Sequence, residues 1–139
     1  MKRPIPTEVE RSLDINDFIV SKTDLRGVIT YVNRVFIEVS KYTEAELMGL
    51  PHSLVRHPDM PKAAFLDLWT TIKKGKEWRG LVKNLCKDGA YYWVDAYVVP
   101  NKDAAGKVIG FTSMRRKPSE LEIKNIIPVY KEMLAKEAR

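Results

Sequence analysis

Trp78-Arg-Gly-Leu-Val-Lys-Asn-Leu-Cys86, then Lys87-Asp-Gly89, then Tyr91-Tyr-Trp-Val-Asp-Ala-Tyr-Val-Val99 is the stretch that decides the fold class. Two runs rich in aromatic and β-branched residues flank an Asp-Gly pair, the turn chemistry of an antiparallel hairpin. Downstream, Pro100 and a loop around Asp103-Ala-Ala-Gly106 lead into a last strand from Lys107 to Arg115. Upstream, Pro61 opens a longer helix, capped by Asp59 or Met60. On it Ala64, Phe65, Leu68, Trp69 and Ile72 recur at three- and four-residue steps, which makes one apolar face. Lys73, Lys74 and Gly75 end that helix, with cations at the negative pole of its dipole.

Further toward the N-terminus, Phe18-Ile-Val-Ser-Lys-Thr23 and Val28-Ile-Thr-Tyr-Val32 form a second hairpin across the turn Asp24-Leu-Arg-Gly27. Asn33–Ser40 has helical spacing, and Thr43-Glu-Ala-Glu46 is a capping box stopped by Gly49. Residues 50–60 hold both histidines between prolines and read as an irregular loop with at most one helical turn. Thr7 is read as the cap of a short lead-in helix ending near Leu13. From Pro118 a charged amphipathic helix runs on, with Pro128 expected to kink or divide it. Segregated strands with helices between them give an α+β domain with an antiparallel sheet. The expected organisation is a lead-in over 1–16, a core domain over 17–117 and a terminal helix over 118–139.

The 139 residues suit one domain, since a chain of about 150 buries roughly 68–70% of its unfolded surface. Apolar content of 45% excludes disorder, and a single cysteine excludes an internal disulfide, which points to a reducing compartment. No apolar run approaches the roughly 20 residues of a membrane span, and the N-terminus lacks the apolar stretch of a signal peptide. A cytoplasmic protein is expected, with no direct membrane insertion. The charge of +6 is dispersed, and its densest cluster is Arg115-Arg116-Lys117, so nucleic acid is not the expected partner. No dinucleotide or triphosphate glycine loop and no His-Glu-x-x-His occurs, and only His52, His57 and Cys86 offer soft metal ligands. No metal site and no enzymatic activity are expected.

An aromatic and amide-rich middle remains: Trp69, Trp78, Tyr91, Tyr92 and Trp93, with Asn84 and the polar run Arg56-His57-Pro58-Asp59. Each aromatic taken singly reads as core. The loop reads equally as a charge-paired anchor or as a seat for an anion or a ring.

The string Pro51-His52-Ser-Leu-Val-Arg56-His57-Pro58-Asp59-Met60-Pro61-Lys62-Ala63-Ala64-Phe65 resembles the PAS domains of the bacterial aerotaxis receptor (Aer) family. The resemblance extends through Trp69, Lys73-Lys74-Gly75, Trp78, Val82-Lys83-Asn84 and Tyr92-Trp93-Val94, and covers about residues 17–131. It implies a five-stranded antiparallel sheet with short helices over one face, and FAD held non-covalently there. It implies flavin contacts from Asn33, Arg56, His57, Asp59 and Trp69, with Trp78, Asn84 and Tyr92 as second-rank contacts. Family members read redox state and bias a methyl-accepting chemoreceptor-type partner or region. Because nothing of that kind follows Arg139, either an excised domain or a free-standing subunit is expected. Apolar Leu121, Ile123, Ile126, Ile127 and Val129 make a homodimer an expectation.

Light-sensing relatives of this fold carry a reactive cysteine in the stretch where this chain has Pro51-His52-Ser53, whereas Cys86 lies elsewhere, so a light-driven adduct is not expected. Asn84 matches one flavin-contacting Asn of those relatives; Val94 replaces the other, and their terminal Gln aligns near Met114 or Arg115. Arg115 is read as a solvated strand-end cation, the alternative being a partner for an anionic flavin. The competing functions are a cofactor-free PAS module for docking, and a haem sensor ligated by His52 or His57.

Overall fold

The computed structural model describes residues 3–138; Met1 and Lys2 of the expected lead-in and Arg139 of the expected terminal helix lie outside the described residues. Five strands, β1 (Ile19–Thr23), β2 (Ile29–Val32), β3 (Trp78–Leu85), β4 (Tyr91–Lys102) and β5 (Val108–Arg116), form one antiparallel sheet in the order β2-β1-β5-β4-β3. Between β2 and β3 lie α1 (Arg34–Ser40), α2 (Glu44–Leu47), a 3-10 turn (His52–Val55) and α3 (Lys62–Lys73). The helix α4 (Glu120–Glu137) follows β5. This is the five-stranded antiparallel sheet, with short helices over one face, expected from the sequence.

The local signals act as read. Thr43 and Glu46 close a capping box at α2, Ser119 and Glu122 close another at α4, and Gly49 takes φ +82° where α2 stops. The β3–β4 connection runs from Leu85 to Tyr91 and is closed by the Cys86 N–H donating to the Ala90 carbonyl. Strand β4 passes through Pro100 instead of ending before it. Pairing with β3 stops at Trp78–Val98, so β4 has an open side beyond that point, where a proline is tolerated. Helix α4 likewise runs unbroken through Pro128.

Two further expectations are corrected. Residues 7–13 form no helix: Val9–Arg11 lies extended along β4, the Tyr91 N–H donating to Val9 O and the Arg11 N–H to Tyr91 O. The cause is non-local. Strand β5 ends at Arg116 opposite Asp95, and the first residues of β4 would otherwise have an open edge. Thr7 caps no helix, its hydroxyl accepting from the Val9 N–H and donating to Gly89 O, while Arg11 pairs with Asp88.

The second correction concerns α3, whose cap comes neither from Asp59 nor from Met60. Pro61 occupies the cap position with no side-chain acceptor, and the Asp59 carboxylate is held by Lys83 Nζ at 2.8 Å. The Glu137 carboxylate, at the end of α4, instead accepts from the Lys62 and Ala63 N–H groups, each at 3.0 Å. An anion at the positive end of α3 is favourable, and those two amides keep that carboxyl below its ordinary pKa.

Alternation along the strands divides the core into two layers. Val82, Asn84, Ala96, Val98, Phe111, Ser113 and Arg115 face the short helices. On the opposite face α4 packs across β3 and β4: the Tyr130 ring stacks on Trp93 at 6.3 Å and 16°, and its hydroxyl donates to Leu81 O at 2.6 Å. Ile123, Ile126 and Ile127, expected to serve self-association, are half-buried within the chain, whereas Leu121 and Val129 remain exposed.

Candidate functional site

A cavity of about 310 Å³ lies between the sheet and the short helices, within the size range of small-ligand sites. Its deep end is polar. Arg115 is 2% exposed, which overturns its reading as a solvated cation. One of its terminal nitrogens donates to Ser21 Oγ at 2.7 Å, and the other lies 2.7 Å from His52 Nε2. The guanidinium stands 4.7 Å over the Phe36 ring, while its buried Nε has no partner. An arginine only donates, so His52 Nε2 is an acceptor and the ring proton resides on Nδ1. The Ser21 hydroxyl closes the triangle, 3.0 Å from the same Nε2.

His52 is only part-buried by surface, because it lines the cavity, yet it stands among packed side chains. Burial, and after it the Arg115 charge, push its pKa down to about 3. Burial likewise lowers Arg115 to about 10, so it remains charged at neutral pH. The sign of the resulting pH dependence is fixed. Unfolded His52 takes a proton below pH 6.5, whereas the folded ring refuses one until about pH 3, so this stability is complete above 6.5 and drains away as pH falls. His52 alone should lower the urea-unfolding free energy by about 1.4 kcal/mol per pH unit between about pH 6 and 4. His52→Gln keeps a carbonyl acceptor for Arg115 and reduces that slope. It does not abolish it, because burial and then Lys83 lower His57 in the same direction. An unchanged slope in His52→Gln would show that this imidazole is not the titrating group.

Asn84, which also lines the cavity, is 3% exposed and its amide nitrogen has no partner. Its backbone bridges to that of Arg56, whose guanidinium lies 3.6 Å over the Phe65 ring with Nε buried and unpartnered. Burial, followed by the Arg3 charge, lowers the Arg56 pKa. Arg3 in turn donates to the carbonyls of Ser53 and Arg56, fastening the lead-in to this loop. The wall is aromatic: Trp69 meets Phe111 edge-on at 5.8 Å and 85°, and Lys73 Nζ stands 5.3 Å from the indole. Arg26, Arg56 and Arg115 line the cavity, and among the described residues lining it none is Asp or Glu. Such a site offers donors, positive charge and ring faces.

Of the eight residues expected to contact a ligand, Arg56, Trp69 and Asn84 line the cavity together. The other five stand elsewhere. Asn33 caps α1, its Oδ1 accepting from the Val20 and Phe36 N–H groups and its Nδ2 donating to Phe18 O. His57 accepts the Asp59 N–H at Nδ1 and sets its ring edge-on to Tyr91, and Asp59 pairs with Lys83. Trp78 donates to Asp67 and packs beside the cavity in a cluster with Ile72, Val98 and Phe111. Tyr92 is fully buried, and burial raises its pKa. Sequence reading missed the triad of Ser21, His52 and Arg115, of which His52 and Arg115 line the cavity. The available signal was parity: Arg115 and Ser113 share the face of apolar Phe111 on one strand.

A family model described as PAS fold matches residues 29–115. The chain is 46% identical over 132 residues to an aerotaxis receptor of Escherichia coli K12, a match that covers 95% of this chain and 26% of the receptor. It is 30% identical over 97 residues to a nitrogen fixation regulatory protein of Klebsiella pneumoniae, covering 70% of this chain and 20% of that protein. The chain thus spans about a quarter or less of these curated relatives. A solved structure from work on a flavin analogue and the light-oxygen-voltage domain mechanism superposes with a TM-score of 0.70 at 20% identity. That match covers 83% of this chain and 86% of the solved one, and shows a common fold.

Proposed function

The chain belongs to the PAS fold family, and we propose that its cavity binds a flavin, FAD, and that the domain is a redox sensor whose state is passed on by contact. One observation carries this reading: Asn84, Arg56 and Arg115 each keep a buried side-chain donor without a protein partner, and all three residues line one aromatic pocket with no Asp or Glu among its described lining residues. A buried donor without a partner is costly, and the acceptor-rich edge of an isoalloxazine supplies what these groups lack. A flavin brings reversible electron uptake, and reduction adds negative charge to its ring.

The roles of the chain's own groups follow. The Asn84 amide orients the ring's polar edge, and Trp69 with Phe65 covers a ring face. Arg115 holds its charge against the ring, with Ser21 and neutral His52 fixing the guanidinium in place. Arg26 and Arg56 suit the pyrophosphate of FAD. The 46% identity to an aerotaxis receptor supports a methyl-accepting chemoreceptor-type signalling partner. We assign sensing to residues 17–117 and transmission to the flanking lead-in and α4. Among the described residues no helix is long and apolar enough to cross a membrane, and the domain is proposed to work in the cytoplasm. Cys86 is buried with its thiol donating to Val39 O and lies outside the cavity lining, so a redox input is favoured over a light-driven adduct.

Purified protein should carry, or take up on refolding, a yellow chromophore that dithionite bleaches reversibly. Trp69→Ala should weaken FAD uptake by about tenfold or more, the scale of a lost aromatic face. Colourless protein that takes up neither FAD nor FMN would leave the cofactor-free docking module as the function.

A further inference from the structure

We propose that Gly27, in the β1–β2 turn, is the positioning residue of the cavity: it sets where the Trp69 indole stands, and through the indole how well the cavity holds its ring ligand. This rests on the flavin reading for the identity of the ligand, but not for the position of the indole. A side-chain carbon built on Gly27 would lie 2.7 Å from Trp69 Cζ2 and 2.9 Å from Cη2, closer than packed carbons approach. The indole therefore rests directly on the glycine backbone, in space that a methyl group would fill. On its other flank it meets the Phe111 ring edge-on at 5.8 Å.

The turn cannot retreat to make room. The Gly27 N–H donates to Asp24 O, and its carbonyl accepts the His52 N–H at 3.0 Å. The Asp24 carboxylate holds the Arg26 and Val28 N–H groups, and Val28 bridges to Pro51. The same hydrogen bond from His52 joins the turn to the loop carrying the polar deep end of the cavity. Any group added at position 27 must therefore displace the indole rather than the backbone.

Gly27 also has φ +83°, a conformation that strains any residue with a side chain. Gly49 separates the two effects, because it has φ +82° and nothing within 4 Å of an added carbon. Gly27→Ala and Gly49→Ala thus share the backbone strain, and only the first pushes on Trp69.

The test uses 5-fluorotryptophan-labelled protein without ligand, its Trp69 signal assigned through Trp69→Phe, followed by FAD titration. Gly27→Ala should shift the Trp69 fluorine resonance, leave that of Trp93 in place and weaken FAD binding by about tenfold. Gly49→Ala should leave the Trp69 signal and the affinity unchanged. Trp69→Phe removes both atoms in contact, so in that background Gly27→Ala should destabilise the protein no more than Gly49→Ala does. An unmoved Trp69 resonance in Gly27→Ala, or an equal shift in Gly49→Ala, overturns the proposal. A moved resonance in protein that takes up no flavin upholds the seat of the indole and defeats the flavin reading alone.

Discussion

Arg115→Met should make the ligand-free protein more stable by about 1–3 kcal/mol and, in the proposed flavin complex, lower the midpoint potential by at least about 60 mV. The stability gain follows from an uncompensated charge. The guanidinium is 2% exposed, it pairs with no carboxylate among the described residues, and its Nε lacks any partner. Methionine has similar length and fills the same space over Phe36 without that desolvation cost. Its loss strands no neighbour, because Ser21 Oγ and His52 Nε2 already stand 3.0 Å apart and bond each other. The drop in potential follows from removing the cation that favours the negatively charged, reduced ring. Denaturant unfolding of ligand-free protein and a spectroelectrochemical titration of the loaded protein check the two halves. A destabilised variant with an unchanged potential would mean that Arg115 serves the fold and not the ligand.

Tyr130→Ala should cost about 3–4 kcal/mol, the range of large aromatic truncations in cores. The ring is 8% exposed and stacks on Trp93, and its hydroxyl makes the 2.6 Å bond to Leu81 O. Burial pushes the phenol up to about 12, so it stays a donor throughout the working pH range. Tyr130→Phe keeps the stack and strands one carbonyl, for about 1 kcal/mol. Hydrogen exchange distinguishes the two: amides of Glu120–Glu137 should lose protection in the alanine variant and keep it in the phenylalanine one. Equal losses would put the hydroxyl, not the stack, in charge of holding α4.

Much of this fold was legible because its signals are local. Thr43 with Glu46 and Gly49 at its stop each act within a turn, and the sheet runs follow β-branched and aromatic residues. What escaped reading is held by partners far along the chain. Thr7 looks like a helix cap until Gly89 and Tyr91 offer it an edge, and the cap of α3 lies 75 residues away. In the site, Trp69 and Asn84 were legible only through the family resemblance, since helical spacing alone reads Trp69 as core. Asn33, by contrast, has the same chemistry and spends it on backbone groups. Arg115 was misread because arginine is usually solvated, although its four-residue spacing from buried Phe111 on one strand pointed it to the same inward face.

The carboxylate of Glu137 gives the cavity wall a mechanical connection to the far end of α4. Helix α3 is about 18 Å long, so a tilt of about five degrees around its distal end moves its first amides by about 1.5 Å. That displacement exceeds what a 3.0 Å hydrogen bond tolerates. The clasp is therefore a lever arm: a small swing at Phe65, Leu68 and Trp69 is magnified at Lys62 and Ala63 into a bond that is either made or broken. Amide exchange at Lys62 and Ala63 is where such an event would register, at the far end of the helix that walls the cavity.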